Sequence, residues 1–169
     1  MDKPEVTLPI SCCCGRRTPI GGNSLRHLAF KNGVSLSGIA FRTEMRQAGG
    51  TIRTEEVRRI QQWVDAAELL GASQIRVFAG NLPGGATEEQ GIAWVVETMK
   101  PACDYAAKRG VTLGIENHGG MTARAATTLE ILRQVDSPYA GINLDISNFE
   151  SQSDDEMYFA ATIRAPDLV

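Results

Sequence analysis

The sequence predicts an α/β fold made of parallel βα repeats. From about Leu25 onward, short apolar runs alternate with amphipathic helical segments, and this alternation is typical of a parallel sheet with helical crossovers. Each strand with its crossover occupies roughly 30–40 residues, as βα units do. The chain has 169 residues, which is enough for one domain with a core of its own.

The first repeat comprises the end of a helix and a strand. Residues 25–33 are predicted to close a helix, with Gly33 as its left-handed cap, and residues 34–40 to form a strand. The next helix is predicted to begin at Thr54, because a threonine followed by two glutamates suits an N-terminus, and to end at Gly71. Its apolar positions recur at steps of three and four residues, which predicts one buried face: Val57, Ile60, Val64, Ala67 and Leu70.

The next repeat continues the pattern. Residues 74–80 are a predicted strand, and a long helix begins near Thr87. Pro101 is expected to kink or interrupt this helix, since proline cannot donate the main-chain hydrogen bond. Gly110 caps the helix, and residues 111–115 form the following strand.

The C-terminal part adds a helix at residues 127–135, a strand at 139–144 and a helix from Ser153 to about Arg164. Residues 168–169 are predicted to start a further strand. The resulting sheet can close in two ways, as an open doubly wound sheet or as a barrel. A complete eight-stranded barrel usually needs about 250 residues, so a barrel would be unfinished here.

The chain divides into an irregular head, residues 1–24, and a regular domain, residues 25–169. Neither helical nor strand periodicity is found in the head. The three consecutive cysteines at residues 12–14 have neither the spacing of a metal site nor that of a disulfide framework, so free thiols are expected. Cys103 lies on a predicted helix and is expected to be a small core residue.

Composition and charge narrow the class of partner. Lys plus Arg number 17 and Asp plus Glu number 20, which gives a formal charge of −3, and no basic stripe stands out. This balance counts against a nucleic-acid partner. No apolar run approaches the roughly 20 residues that span a bilayer, and the N-terminus does not have the pattern of a secretory signal. A soluble, cytoplasmic protein is therefore expected.

Polar side chains follow two neighbouring predicted strands at the point where each ends. Glu116 and His118 follow one strand, and Asp145 and Asn148 follow the next, one βα repeat later. The carboxyl ends of parallel strands meet at one rim, where two acids repel each other unless a cation lies between them or one holds a proton. A divalent metal would explain the pair, since carboxylate oxygens suit such ions. The alternative is that each acid only caps the helix after it, and that His118 only hydrogen-bonds its loop.

Several segments, in order over residues 25–169, resemble the xylose isomerase-like barrel superfamily. This superfamily includes sugar phosphate isomerases and epimerases, tagatose 3-epimerase-like enzymes and the related endonuclease IV fold. The resemblance implies a partial TIM barrel that contains roughly strands 2 to 6. The segments are GVSLSGIA at residues 33–40, WVDAAELLGA at 63–72, IRVFAG at 75–80, GVTLGIENHG at 110–119 and INLDISNF at 142–149.

The resemblance implies a site with a divalent metal ion (Mn, Mg, Co or Zn) and four ligands. Glu116 and Asp145 match the first two, and a His and a second Glu would lie beyond Val169. Glu116 would also be a catalytic base. His118 and Asn148 are the predicted substrate contacts. Arg76, which occupies a mid-strand position, is a third.

The implied function is metal-dependent isomerisation or epimerisation of a sugar, sugar phosphate or keto-sugar by proton transfer next to a carbonyl. We expect this activity to be impaired in the chain itself, because the remaining ligands and the second base have no candidates and residues 12–17 stand in place of an apolar first strand. A barrel fragment that is non-catalytic or is completed by a partner, including a second copy, is the alternative. Apurinic endonuclease activity is disfavoured by the acidic balance.

Overall fold

The computed structural model describes residues 7–11, 17–46, 48–145 and 148. Two strands form an antiparallel pair near the N-terminus, β1 (Thr7–Ser11) and β2 (Arg17–Gly21). Both strands lie within residues 1–24, the segment predicted to be an irregular head. Main-chain pairing holds a hairpin together without the alternation of apolar and polar residues by which strands are recognised in a sequence. The three cysteines at residues 12–14 lie outside the described residues.

The main sheet contains four parallel strands, and a helix lies between each strand and the next. This arrangement confirms the predicted α/β class of parallel βα repeats. The helices are α1 (Gly22–Lys31), α2 (Gly50–Leu70), α3 (Glu88–Ala107) and α4 (Ala125–Val135). The strands are β3 (Gly38–Ala40), β4 (Gln74–Val77), β5 (Thr112–Glu116) and β6 (Ala140–Asn143).

The strand order decides between the two closures that the sequence leaves open. The order is β3-β4-β5-β6, so each described strand pairs with the next along the chain. A doubly wound sheet reverses its strand order at a switch point, whereas a barrel continues in one direction. The described strands therefore have the topology of part of a TIM barrel.

The element boundaries follow local chemistry in some places and tertiary contacts in others. Thr87 begins α3 with a capping box, in which its side chain accepts from the Gln90 amide and the Gln90 side chain accepts from the Thr87 amide. Helix α2 begins at Gly50, upstream of the predicted Thr54, whose hydroxyl instead donates to Gly50 O. The helix ends as predicted, with Gly71 in the left-handed conformation at φ 76°.

Two further predictions need correction. Helix α3 continues through the exposed Pro101 to Ala107, so the helix is not interrupted there. Strand β3 is shorter than the predicted residues 34–40, since its one partner among the described strands is β4, which itself begins at Gln74. The predicted helix at 153–164 and the strand start at 168–169 lie outside the described residues.

The core fills the space between the sheet and its helices. Cys103 is fully buried there, which confirms its prediction as a core residue, and burial raises the pKa of its thiol to about 12. Strand β5 is buried along most of its length, so packing fixes the position at which the residues after it leave the sheet. The largest fully buried core side chains are Met45, Ile60, Ile75, Met99, Leu113, Ile115 and Ile131. Within the described ranges, no helix is long and apolar enough to cross a membrane.

Candidate active site at the strand ends

Glu116 is the last residue of β5, and its side chain is buried at the rim of the sheet with 3% of the residue exposed. One carboxylate oxygen, Oε2, lies 2.9 Å from Arg76 Nη1. The other, Oε1, lies 3.1 Å from His118 Nδ1. The carboxylate is therefore held between a guanidinium on the neighbouring strand β4 and an imidazole two residues further along its own chain.

Asp145 and Asn148 complete the group of predicted residues that the structure brings together. The Asn148 amide Nδ2 donates to Asp145 Oδ2 at 3.0 Å and to Glu116 Oε1 at 3.3 Å. The same nitrogen lies 3.2 Å from His118 Nδ1. Both carboxylates thus face one point, although they come from the ends of two different strands.

Arg76 lies within β4, and its side chain reaches the rim rather than ending in mid-sheet. Its guanidinium lies 4.6 Å from the centroid of the Phe78 ring, a cation–π contact, and its side chain remains 35% exposed. The Phe78 ring is 5.0 Å from that of His118. Arg76 therefore supplies positive charge to the buried Glu116, a source of charge compensation that the sequence argument did not consider.

The described residues fit a divalent cation in part. Glu116 Oε2 is buried and accepts no hydrogen bond of acceptable geometry from the described residues, so its contact with Arg76 is ionic. Glu116 and Asp145 offer the hard oxygen ligands that Mg²⁺ and Mn²⁺ prefer. Over the described ranges, no three His, Cys, Asp or Glu side chains are grouped as a complete metal site. The two carboxylates alone therefore do not make a complete metal site within the described residues.

A cleft of about 540 Å³ opens next to these residues at the carboxyl ends of the strands. Its lining includes Arg76 and His118, together with residues from the loops after β3 and β4: Arg42, Thr43, Glu44, Arg46, Phe78 and Asn81. These loop residues were missed from the sequence. The rule that located Glu116 and Asp145, to inspect the residues just after each strand, would have found them if it had been applied to β3 and β4 as well.

The loop after β3 is fixed mainly through main-chain groups. The Thr43 hydroxyl accepts from the Phe78 amide at 2.6 Å and donates to the Phe78 carbonyl at 2.7 Å. The Glu44 amide donates to Glu56 Oε1 at 2.8 Å. With the loop held in this way, the Glu44 carboxylate accepts from the Nε atoms of Arg46 and Arg42, at 2.7 and 3.3 Å.

Gly80 allows the Arg46 side chain to lie against the loop after β4. The glycine has a φ of 89°, and a Cβ at this position would come within 3.0 Å of Arg46 Cδ. Arg46 Nη1 also donates to Asn81 O at 3.2 Å. Hydrogen bonds among polar groups therefore hold this side of the cleft in place.

Asn117 connects the ends of β5 and β6. The residue is fully buried, its Nδ2 donates to Asp145 O at 2.7 Å, and its Oδ1 accepts from the Asp145 amide at 2.7 Å. The sequence shows Asn117 beside Glu116, but the adjacency alone indicates no role. Its partner is 28 residues away along the chain.

Residues 15–169 match a model of the xylose isomerase-like TIM barrel family. The chain belongs to this family. Members of this family often use divalent metal ions. A search of curated protein sequences gave no significant match.

Solved structures share the fold at low sequence identity. The protein SMc04130 from Sinorhizobium meliloti 1021 is 23% identical with a TM-score of 0.72, over 84% of this chain and 54% of that one. The 3-keto-D-glucoside 4-epimerase YcjR from E. coli is 12% identical with a TM-score of 0.74, over 83% and 59%. The D-allulose 3-epimerase from Methylomonas sp., solved with D-allulose, is 20% identical with a TM-score of 0.64, over 73% and 46%. The chain spans about half the length of these structures.

Proposed function

We propose that this chain carries part of the active site of a sugar or keto-sugar isomerase or epimerase, in which Glu116 moves a proton next to a carbonyl. One observation carries the proposal: the buried Glu116 carboxylate and the Asp145 carboxylate face the same amide nitrogen of Asn148, at the rim where this fold places its chemistry. The fold family and the two sugar epimerases among its solved structures support the same class of reaction.

Glu116 is suited to act as the base because its position is fixed on both sides. Arg76 holds Oε2, and Oε1 faces His118 and Asn148. When the carboxylate takes a proton from carbon it loses its charge, and the positive charge of Arg76 is then available to stabilise negative charge on a substrate oxygen. His118 is 60% exposed at the cleft and is placed to hydrogen-bond a substrate hydroxyl.

Glu116 and Asp145 would hold a divalent ion, as two of its ligands. Such an ion, when bound, polarises the carbonyl and lowers the cost of removing the neighbouring proton. Two carboxylates are fewer ligands than a tightly held divalent ion takes, so we expect weak Mn²⁺ binding and little turnover. The choice among Mn, Mg, Co and Zn does not affect the roles of the side chains.

Deuterium exchange tests the proposal directly. D-allulose is incubated with the chain and Mn²⁺ in D₂O, and NMR follows the loss of the proton next to the carbonyl. A working base contributes a factor of about 10²–10⁴, so Glu116→Gln should lower the exchange rate by at least about 10². Glu130→Gln is the matched control, because it makes the same chemical change at an exposed carboxylate paired with Arg133. Equal rates for Glu116→Gln and the unmodified chain would refute the role of Glu116.

A barrel completed by a second copy is the other candidate, and the sheet edge favours it. Among the described strands, β3 pairs on one side only, with β4. Apolar side chains on α1 and in the segment between α1 and β3 are exposed: 50% for Leu28, 83% for Phe30 and 56% for Val34. Exposed edges and apolar patches promote association. Sedimentation velocity at increasing concentration measures it, and a monomer throughout would remove this candidate.

A further inference from the structure

The β5–β6 ladder ends one residue before Asn117. In the parallel register, Glu116 is paired with Asn143, which is the last residue of β6. Past this point the two strands leave the sheet, and the contact between them continues through a side chain. The Asn117 side chain makes this contact with two hydrogen bonds of 2.7 Å, to the carbonyl and the amide of Asp145.

An asparagine side chain can extend a ladder in this way because its amide carries the same donor and acceptor as a peptide group. Asn117 is 0% exposed, so both of its polar atoms must be paired inside the protein. The two bonds satisfy it and also tie the Asp145 main chain to the residue next to Glu116. Replacement of Asn117 by alanine would remove both of these hydrogen bonds at once.

We infer that Asn117 is a positioning residue, which sets the Asp145 carboxylate opposite Glu116 so that the two can share one ligand. The inference rests on the proposed function, since it assigns these carboxylates to a common site. With the Asp145 main chain fixed, Asp145 Oδ2 lies 3.0 Å from the Asn148 nitrogen that also reaches Glu116 Oε1 at 3.3 Å. Asn117 touches neither carboxylate group in these contacts, so it acts through the main chain.

Thr122 offers a matched control in the same region. Its hydroxyl donates to the main-chain carbonyl of Glu116 at 2.9 Å, and the residue is 2% exposed. Thr122→Val therefore removes a buried side-chain to main-chain hydrogen bond at the same strand end without touching Asp145. A purely structural role for Asn117 predicts that the two substitutions have similar effects. A positioning role predicts that only Asn117 affects the pair of carboxylates.

The first measurement is the affinity for Mn²⁺ alone, obtained by EPR titration of free Mn²⁺ with the full chain. Partners that orient metal ligands typically contribute about 10–100-fold in affinity, so Asn117→Ala should weaken binding by at least about tenfold. Thr122→Val should stay within about twofold of the unmodified chain, because it leaves both carboxylates in place. Equal affinities for Asn117→Ala and the unmodified chain would overturn the inference.

The second measurement needs no metal and follows amide hydrogen exchange at Asp145 by NMR. Asn117→Ala removes the acceptor of this amide, so its exchange should accelerate by about tenfold. Asn117→Asp keeps an acceptor in place and should retain the protection, and it also serves if the alanine variant does not fold. Unchanged exchange in Asn117→Ala would overturn the inference. If the unmodified chain takes up no Mn²⁺ at millimolar concentration, the proposed site fails, while the exchange rate still decides whether Asn117 holds Asp145.

Discussion

Removal of Arg76 should destabilise the fold through the carboxylate that it leaves behind. In Arg76→Met the side chain keeps much of its apolar stem, but Glu116, 3% exposed, loses the charge 2.9 Å away. At an effective dielectric constant of about 20, unit charges at this separation attract by about 6 kcal/mol before desolvation is subtracted. The Arg76 side chain is 35% exposed, so water screens the pair, and we expect a net loss of about 2–3 kcal/mol in the free energy of unfolding.

Urea denaturation of four chains isolates this interaction. The set is the unmodified chain, Arg76→Met, Glu116→Gln and the double variant. With Glu116 already neutral, the loss of Arg76 breaks no ion pair and should cost less than about 1 kcal/mol. The coupling energy of the cycle should therefore be about 2 kcal/mol.

Arg58→Met controls for the removal of an arginine as such. Arg58 pairs with Glu55 on the outer face of α2, and the two side chains are 60% and 54% exposed. Its loss should leave the urea midpoint almost unchanged. If the Arg76 and Glu116 substitutions are additive within about 0.5 kcal/mol, the buried pair does not stabilise the rim and the reasoning is wrong.

Three further outcomes are expected. Gly120→Ala should lower the free energy of unfolding in urea by about 2 kcal/mol or more, because the φ of Gly120 is 55° and a Cβ would collide with Asn81. Gly33→Ala is the control: its φ is 65° but the space around it is open, so it should cost about 1 kcal/mol. Burial raises the pKa of the Cys103 thiol to about 12, so the folded protein favours the protonated thiol. This contribution to the free energy of unfolding is complete below pH 9 and is lost as the pH rises toward 12. Native mass spectrometry should find Cys103 unmodified by iodoacetamide until urea is added. Arg46→Gln should weaken the binding of inorganic phosphate in calorimetry, because Arg46 is one of three arginines at the cleft. Equal phosphate affinity in Arg46→Gln and the unmodified chain would argue against an anionic substrate.

The sequence was sufficient to locate the carboxylates but not the charge that neutralises one of them. Glu116 and Asp145 could be found because both come directly after an apolar run, and parallel strands bring such positions to one rim. Arg76 lies inside the apolar run of β4, and its contact with Glu116 depends on the register in which β4 pairs with β5. Arg76 is paired with Gly114, two residues before Glu116 and on the same face, and the glycine has no side chain to block the path. Register is a tertiary property, which no single segment encodes.

Boundaries failed where no side chain marks them. The sequence favours Thr54 as the start of α2, but the helix begins at Gly50, and its N-cap residue, Gly49, makes no side-chain capping bond. In contrast, Thr87 and Gly71 act through their own neighbours, and both termini were predicted correctly. Local chemistry can thus be predicted from sequence, whereas contacts across the fold cannot.

The anchoring of the loop after β3 has a practical consequence for protein engineering. Thr43 and Glu56 bond main-chain atoms, whereas the side chains of Arg42, Glu44 and Arg46 line the cleft. A combinatorial library that varies those three positions while Thr43 and Glu56 stay constant would diversify recognition on an intact scaffold. The same separation of anchoring residues from cleft-lining side chains would let the lining change through few substitutions.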